Sequence, residues 1–189
     1  MTGAATVGGG AAGSDGGMGA VWAVTTVALA SRPITTRDFI GGSPLAVAGA
    51  ARASIDAGAG FLVSPGLTRP LVRAAVDNDV PILPGVANAS DIMCGLDMGL
   101  THFKFFPAEA NGGIPALKAL VAPFHQCRFC PTGGIGHETA AAWLALEAVL
   151  CVGGSWVVSA GQPDVEEIRR RATAAARLGT TSDEPSLKT

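Results

Sequence analysis

From residue 60 onward the chain beats between short apolar runs and longer stretches with helical spacing. Residues 60–65, 80–84, 102–107, 128–131 and 148–152 are the apolar runs, each closed by Pro or Gly. Between them, residues 69–78, 90–98, 114–121 and 137–146 repeat apolar positions every three or four residues, the spacing of one buried helix face. A strand recurs every twenty to twenty-six residues, the length of a strand, a turn and a helix. The unit is therefore βα and the sheet parallel, and five such units can be counted.

Such units build either an open doubly wound sheet or a closed barrel, and the strand count does not choose between them. Two details favour a TIM (β/α)8-type barrel. Reactive side chains sit at the C-terminal ends of several successive strands, and glycine pairs follow the last two, where barrels commonly hold phosphate. An open sheet gathers its site at one switch point instead. The first sixty residues fit less well, so the N-terminal part of the barrel is expected to be incomplete or irregular. Residues 1–19 are rich in Gly and Ala without periodicity and are expected to be flexible. Residues 20–30 read as one buried strand or a short helix, and 46–57 as a helix. Near the other end, Asp164, Glu166 and Glu167 open a helix expected to run to residue 178, and 180–189 read as a disordered tail. Residues 20–179 are expected to form a single barrel domain.

The most informative residue is Lys104, a lone cation inside the apolar run 102–107. Strand alternation puts Phe103 and Phe105 on one face and Lys104 with Phe106 on the other. Burial disfavours an ammonium and lowers its pKa, which is what an amine needs to attack a carbonyl. A lysine snorkelling to the rim of a sheet is the plainer reading of the residue alone. Its neighbours shift the balance: Thr132, Gly133 and Gly134 end the next strand, and Gly153, Gly154 and Ser155 the one after. Backbone N–H groups at such turns can converge on an anion because no side chain blocks the approach, and Ser155 adds a hydroxyl.

Length and composition narrow the partners. A chain of 189 residues suits one well-cored domain. With 48% hydrophobic and 15% charged residues and a net charge of -2, nucleic acid is an unsuitable main ligand. Arg169, Arg170 and Arg171 follow Glu166 and Glu167 by a turn, the pattern of a solvated helix face. Four cysteines, Cys94, Cys127, Cys130 and Cys151, suggest a reduced compartment. Cys127 and Cys130 have zinc-like spacing but no second pair, and in an extended segment they point to opposite faces, so structural thiols are the expectation. Residues 20–30 imitate a secretory apolar core, but the first basic residue is Arg32, and eleven residues are too few to span a bilayer. A cytoplasmic protein without metal, cofactor or membrane partner is expected.

Residues 58–178 resemble 2-keto-3-deoxy-6-phosphogluconate (KDPG) aldolase, also described as 4-hydroxy-2-oxoglutarate aldolase. The resemblance rests on the runs 64–67, 84–85, 103–113, 128–134 and 153–156, which are long and in order. It implies a (β/α)8 barrel, usually assembled as a homotrimer, with no metal or cofactor and a phosphorylated keto-acid substrate. It implies that Lys104 is the Schiff-base lysine, that Phe106 walls the pocket beside the imine, and that Thr132 faces the reacting chain. Gly133, Gly134, Gly154 and Ser155 would hold the phosphate. The cleavage implied is of KDPG to pyruvate and glyceraldehyde 3-phosphate.

The N-terminal third departs from the family. The usual proton-shuttling glutamate lies on an early strand, and here no glutamate precedes Glu109. Pro44 falls where the family has the hydroxyl of a Gly-Ala-Gly-Thr turn. Arg32 is the candidate for binding the substrate carboxylate. Glu109 is expected to organise the loop after the Lys104 strand, and His102 is a second candidate base on the Lys104 face. Losing general acid/base help, typically worth about 10²–10⁴ in rate, would weaken turnover without stopping imine formation. A catalytically impaired relative, acting as an oligomerising or ligand-binding scaffold, is the competing expectation.

Overall fold

The computed structural model describes residues 20–22, 44–158, 162 and 164–178. The expectations for 1–19, 180–189 and Arg32 lie outside the described residues. In chain order the elements are β1 (Ala20–Trp22), α1 (Pro44–Asp56), β2 (Leu62–Val63), α2 (Arg69–Val76), β3 (Ile82–Leu83), β4 (Gly85–Val86) and α3 (Ala89–Asp97). There follow β5 (His102–Phe105), α4 (Gly113–Val121), β6 (Arg128–Pro131), α5 (His137–Leu144), β7 (Cys151–Gly153) and α6 (Val165–Ala176).

Every ladder is parallel. β2 pairs with β3, β4 with β5, β5 with β6, and β7 with β1. Single bridges from Phe129 to Val149 and from Thr132 to Gly153 join β6 to β7. The expected strand over 80–84 is interrupted at Pro84, which has no N–H to donate. Ile82 and Leu83 face β2, while Pro84 gives its carbonyl to the Lys104 N–H at 2.9 Å and Gly85 opens the pairing with β5. The strands thus run in sequential order from β2 to β7 and on to β1, without the reversal of a doubly wound sheet.

Local chemistry sets the helix ends. Asn88 caps α3 by accepting from the Asp91 N–H, and Asp91 reaches back to accept from the Ala87 N–H. Asp164 caps α6 by accepting from the N–H groups of Glu166 and Glu167. On α6, Glu166 and Glu167 pair with Arg169, Arg170 and Arg171 on a mostly exposed face.

The main core lies between strands and helices. Phe103, Phe105, Phe129 and Val152 from the strands meet Ile92, Leu117, Ala140 and Trp143 from the helices. Gly95 on α3 is needed there, because a Cβ would run into the Phe103 ring. A second cluster holds Ala51, Leu62, Leu71, Ala74, Ala75 and Ile82, where α1 and α2 cover β2 and β3. Because odd-numbered residues of β5 are consumed by this core, the even-numbered ones face away from the helices.

Candidate active site

Lys104 sits on that opposite face, level with Gly85 on one side and Cys130 on the other. Gly85 lets the strands approach, since a Cβ there would collide with the Pro65 carbonyl. The Lys104 amine lies 4.6 Å from the centroid of the Phe106 ring, a cation–π distance. It is half-buried rather than enclosed. Burial nonetheless holds its pKa below the usual 10.5, with the negative charge available to Cys130 opposing the shift.

The Phe106 ring leads to the first glycine turn, because a Cβ on Gly133 would touch its edge at 3.4 Å. Gly133 and Gly134 adopt φ of 106° and 82°, a region that L side chains occupy only with strain. This turn is held to the loop after β5 by two backbone bonds, Ala108 N–H to the Thr132 carbonyl at 2.8 Å and Glu109 N–H to the Gly133 carbonyl at 3.1 Å. A Cβ on Gly134 would press into the Glu109 side chain at 2.7 Å. The Glu109 carboxylate in turn accepts from the Trp143 indole N–H at 2.9 Å. Asn111 adds a tie to the Ala87 carbonyl at 2.6 Å. Glu109 therefore braces the glycine turn against α5, as a loop organiser should. Sequence reasoning missed its partner Trp143, which lies a full unit downstream.

The second glycine turn lies beside the first. Thr132 bridges Gly153, which has no room for a side chain next to the threonine. Gly154 likewise admits the Trp156 ring and the Ile135 carbonyl. The Thr132–Gly153 bridge ties the two turns together through the main chain, while the backbone N–H groups of Gly134 and Ser155 make no backbone hydrogen bond among the described residues. The Ser155 side chain is exposed beside them. Lys104, Phe106, Thr132 and both glycine turns are thus linked through direct neighbours. His102 is at the opposite end of β5, exposed and bonded to Thr101 at 3.0 Å.

The residue that sequence reasoning undervalued on this face is Cys130. Its thiol lies 3.8 Å from the Thr132 hydroxyl, and Cys151 on β7 is its neighbour on the next strand. The neighbouring Cys151 thiol, then Thr132 and the Lys104 charge, hold the Cys130 thiol below the usual range against the opposing effect of burial. Cys151 is correspondingly pushed up by the neighbouring Cys130 and by burial. Cys127 points to the other side, fully buried in the main core, as odd separation along an extended segment requires. Among the described residues no three His, Cys, Asp or Glu side chains gather as a metal site, and no helix is long and apolar enough to cross a membrane.

Fold and site together define an α/β protein of parallel strands in sequential order, with a lysine on the face turned from its helices. The sequence profile of KDPG and KHG aldolases matches residues 35–171, beginning well ahead of residue 58. The chain belongs to the KDPG and KHG aldolase family. It is 50% identical over 129 residues to the KHG/KDPG aldolase of Escherichia coli K12, covering 65% of this chain and 61% of that relative. The chain thus spans about three-fifths of the length of the curated relative it matches. Among solved structures, the 2-keto-3-deoxy-6-phosphogluconate aldolase of Zymomonas mobilis ZM4 with 3-phosphoglycerate is similar at a TM-score of 0.69 and 51% identity, over 71% of this chain and 64% of that one. The KDPG aldolase of Legionella pneumophila with pyruvate captured as a covalent carbinolamine is similar at 0.62 and 43% identity, over 70% of this chain and 65% of that one.

Proposed function

We propose that this chain is a class I carbon–carbon lyase that cleaves KDPG to pyruvate and glyceraldehyde 3-phosphate, with 4-hydroxy-2-oxoglutarate as a second substrate. The observation that carries it is the Lys104 amine, partly desolvated and stacked on Phe106, in a chain of contacts that ends at two side-chain-free glycine turns. The carbinolamine of the Legionella relative and the phosphoglycerate of the Zymomonas relative support the same division into an amine end and a phosphate end.

In this reading the neutral Lys104 nitrogen adds to the substrate's keto carbon, and water leaves to give an iminium. The iminium draws the electron pair of the adjacent carbon–carbon bond, and glyceraldehyde 3-phosphate departs. The remaining enamine takes a proton, and water releases pyruvate and frees the amine. Thr132 faces the reacting chain, while Gly133, Gly134, Gly154 and Ser155 hold the phosphate. Arg32, outside the described residues, is the proposed carboxylate partner. The sequential parallel order, with β1 beside β7, supports closure into a (β/α)8 barrel, and a cytoplasmic homotrimer is the assembly proposed with it.

Borohydride reduction in the presence of pyruvate tests the reading directly. A reduced pyruvate adduct on Lys104 is expected, and its absence at every pyruvate concentration removes the proposal. A coupled assay for glyceraldehyde 3-phosphate then separates the enzyme from its competitor. Trapping without release assigns the impaired scaffold.

A further inference from the structure

Cys130 and Cys151 form no bond in the lysine chemistry proposed above, yet the fold sets them on adjoining strands. From the bridge Phe129–Val149 to the bridge Thr132–Gly153, β6 advances three residues while the β7 segment advances four. That extra residue is a bulge, and bulges re-aim side chains. Here Cys130 and Cys151 lie on adjoining strands and line one hollow, near enough for each to shift the titration of the other. Neighbouring strands are about 4.7–4.9 Å apart, inside the window of about 4.4–6.8 Å between the Cα atoms of a disulfide.

Access comes from a cavity rather than from the outer surface. Cys130 is only 3% exposed. Both residues nevertheless line a hollow of about 630 Å³, together with Ile82, Leu83, His102 and Arg128, at the amino ends of the strands and away from the glycine turns. A hydrogen peroxide molecule is little larger than water and fits such a space. Cys127, fully buried in the other layer, has its thiol raised by burial and shares none of this access.

We propose that Cys130 and Cys151 are a peroxide-oxidisable dithiol, a modification site on the same face as Lys104. The Cys130 thiolate attacks one peroxide oxygen, the O–O bond breaks, and hydroxide leaves. Sulfur is oxidised by two electrons to a sulfenic acid as the peroxide is reduced. The Cys151 sulfur then attacks the Cys130 sulfur, the S–O bond breaks, and the departing hydroxide takes the Cys151 proton to form water and a disulfide. The partner of Cys130 is thus Cys151 on the next strand, not Cys127 at the suggestive sequence spacing.

The test treats the full chain with a few equivalents of hydrogen peroxide, then alkylates, measures the intact mass and maps the peptides. The expected result is loss of two alkylatable thiols, a linked peptide pair containing Cys130 and Cys151, and full recovery with dithiothreitol, while Cys94 stays alkylatable. Cys151→Ser should give no bridge and a dimedone adduct on Cys130, and Cys130→Ser neither. Oxidation of Cys94 or Cys127 ahead of Cys130, or a Cys130 sulfenic acid that persists beside an intact Cys151, overturns the proposal. None of these readouts uses turnover, so it stands or falls separately from the aldolase reading.

Discussion

Replacing Gly134 with alanine tests the brace between the glycine turn and Glu109. Gly134 has φ of 82°, and an added Cβ would lie 2.7 Å from the Glu109 Cβ and Cγ, atoms near the backbone that cannot swing aside. The left-handed conformation costs an L side chain about 1–2 kcal/mol. Displacing Glu109 also disturbs its bond with Trp143 at 2.9 Å, and a solvent-accessible bond of this kind contributes about 1–2 kcal/mol. The sum is a loss of about 2–4 kcal/mol. Gly133→Ala is the internal control: φ is 106°, but the nearest atoms would lie at 3.4 Å, so only the backbone strain of about 1–2 kcal/mol applies. Urea denaturation followed by circular dichroism reads both. With a slope of about 1–3 kcal/mol per molar urea, Gly134→Ala should lower the midpoint by roughly 1–2 M, clearly more than Gly133→Ala. Equal shifts, or a smaller shift for Gly134→Ala, would refute the bracing role of Glu109.

Phe103→Ala removes a fully buried ring at the centre of the main core and should cost about 3–5 kcal/mol, read as a matching drop in urea midpoint or failure to fold. Trp143→Phe keeps the ring contact with Phe105 but removes the donor to Glu109, and a loss of about 1 kcal/mol is expected in the same assay. The rate of pyruvate trapping should rise with pH to a midpoint below 10.5, because burial favours the neutral Lys104 amine. Cys130→Ala removes the negative charge that favours the ammonium, so it should move that midpoint lower still; a move upward would contradict the pairing of Lys104 with Cys130.

Much of the arrangement was readable from residue order. Alternation alone assigned Phe103 and Phe105 to one face and Lys104 to the other, because in a half-buried strand hydrophobicity and direction change together. β6 matches its expected bounds because Pro131 ends the run. What escaped depends on which strands become neighbours. Pro84 divides an apolar run between two ladders, a result of its missing N–H meeting two partners at once. The last strand starts at Cys151 rather than 148 because the Val149 N–H is turned back to the Leu146 carbonyl. Spacing in the sequence groups Cys130 with Cys127, whereas the strand order sets Cys151 beside it. The Glu109–Trp143 bond joins residues 34 apart and leaves no local signature.

The ladder between Ala20–Trp22 and Cys151–Gly153 has a kinetic consequence, because it joins the first described strand to the last. Forming it closes the widest loop of any strand ladder in the described fold, and loop-closure entropy must be met before such a contact can repay it. Units β2 to β7 each meet their neighbour nearby in sequence, so collapse can begin among them with the first strand docking last onto a surface already assembled. During synthesis the first strand must therefore wait until the last has left the ribosome.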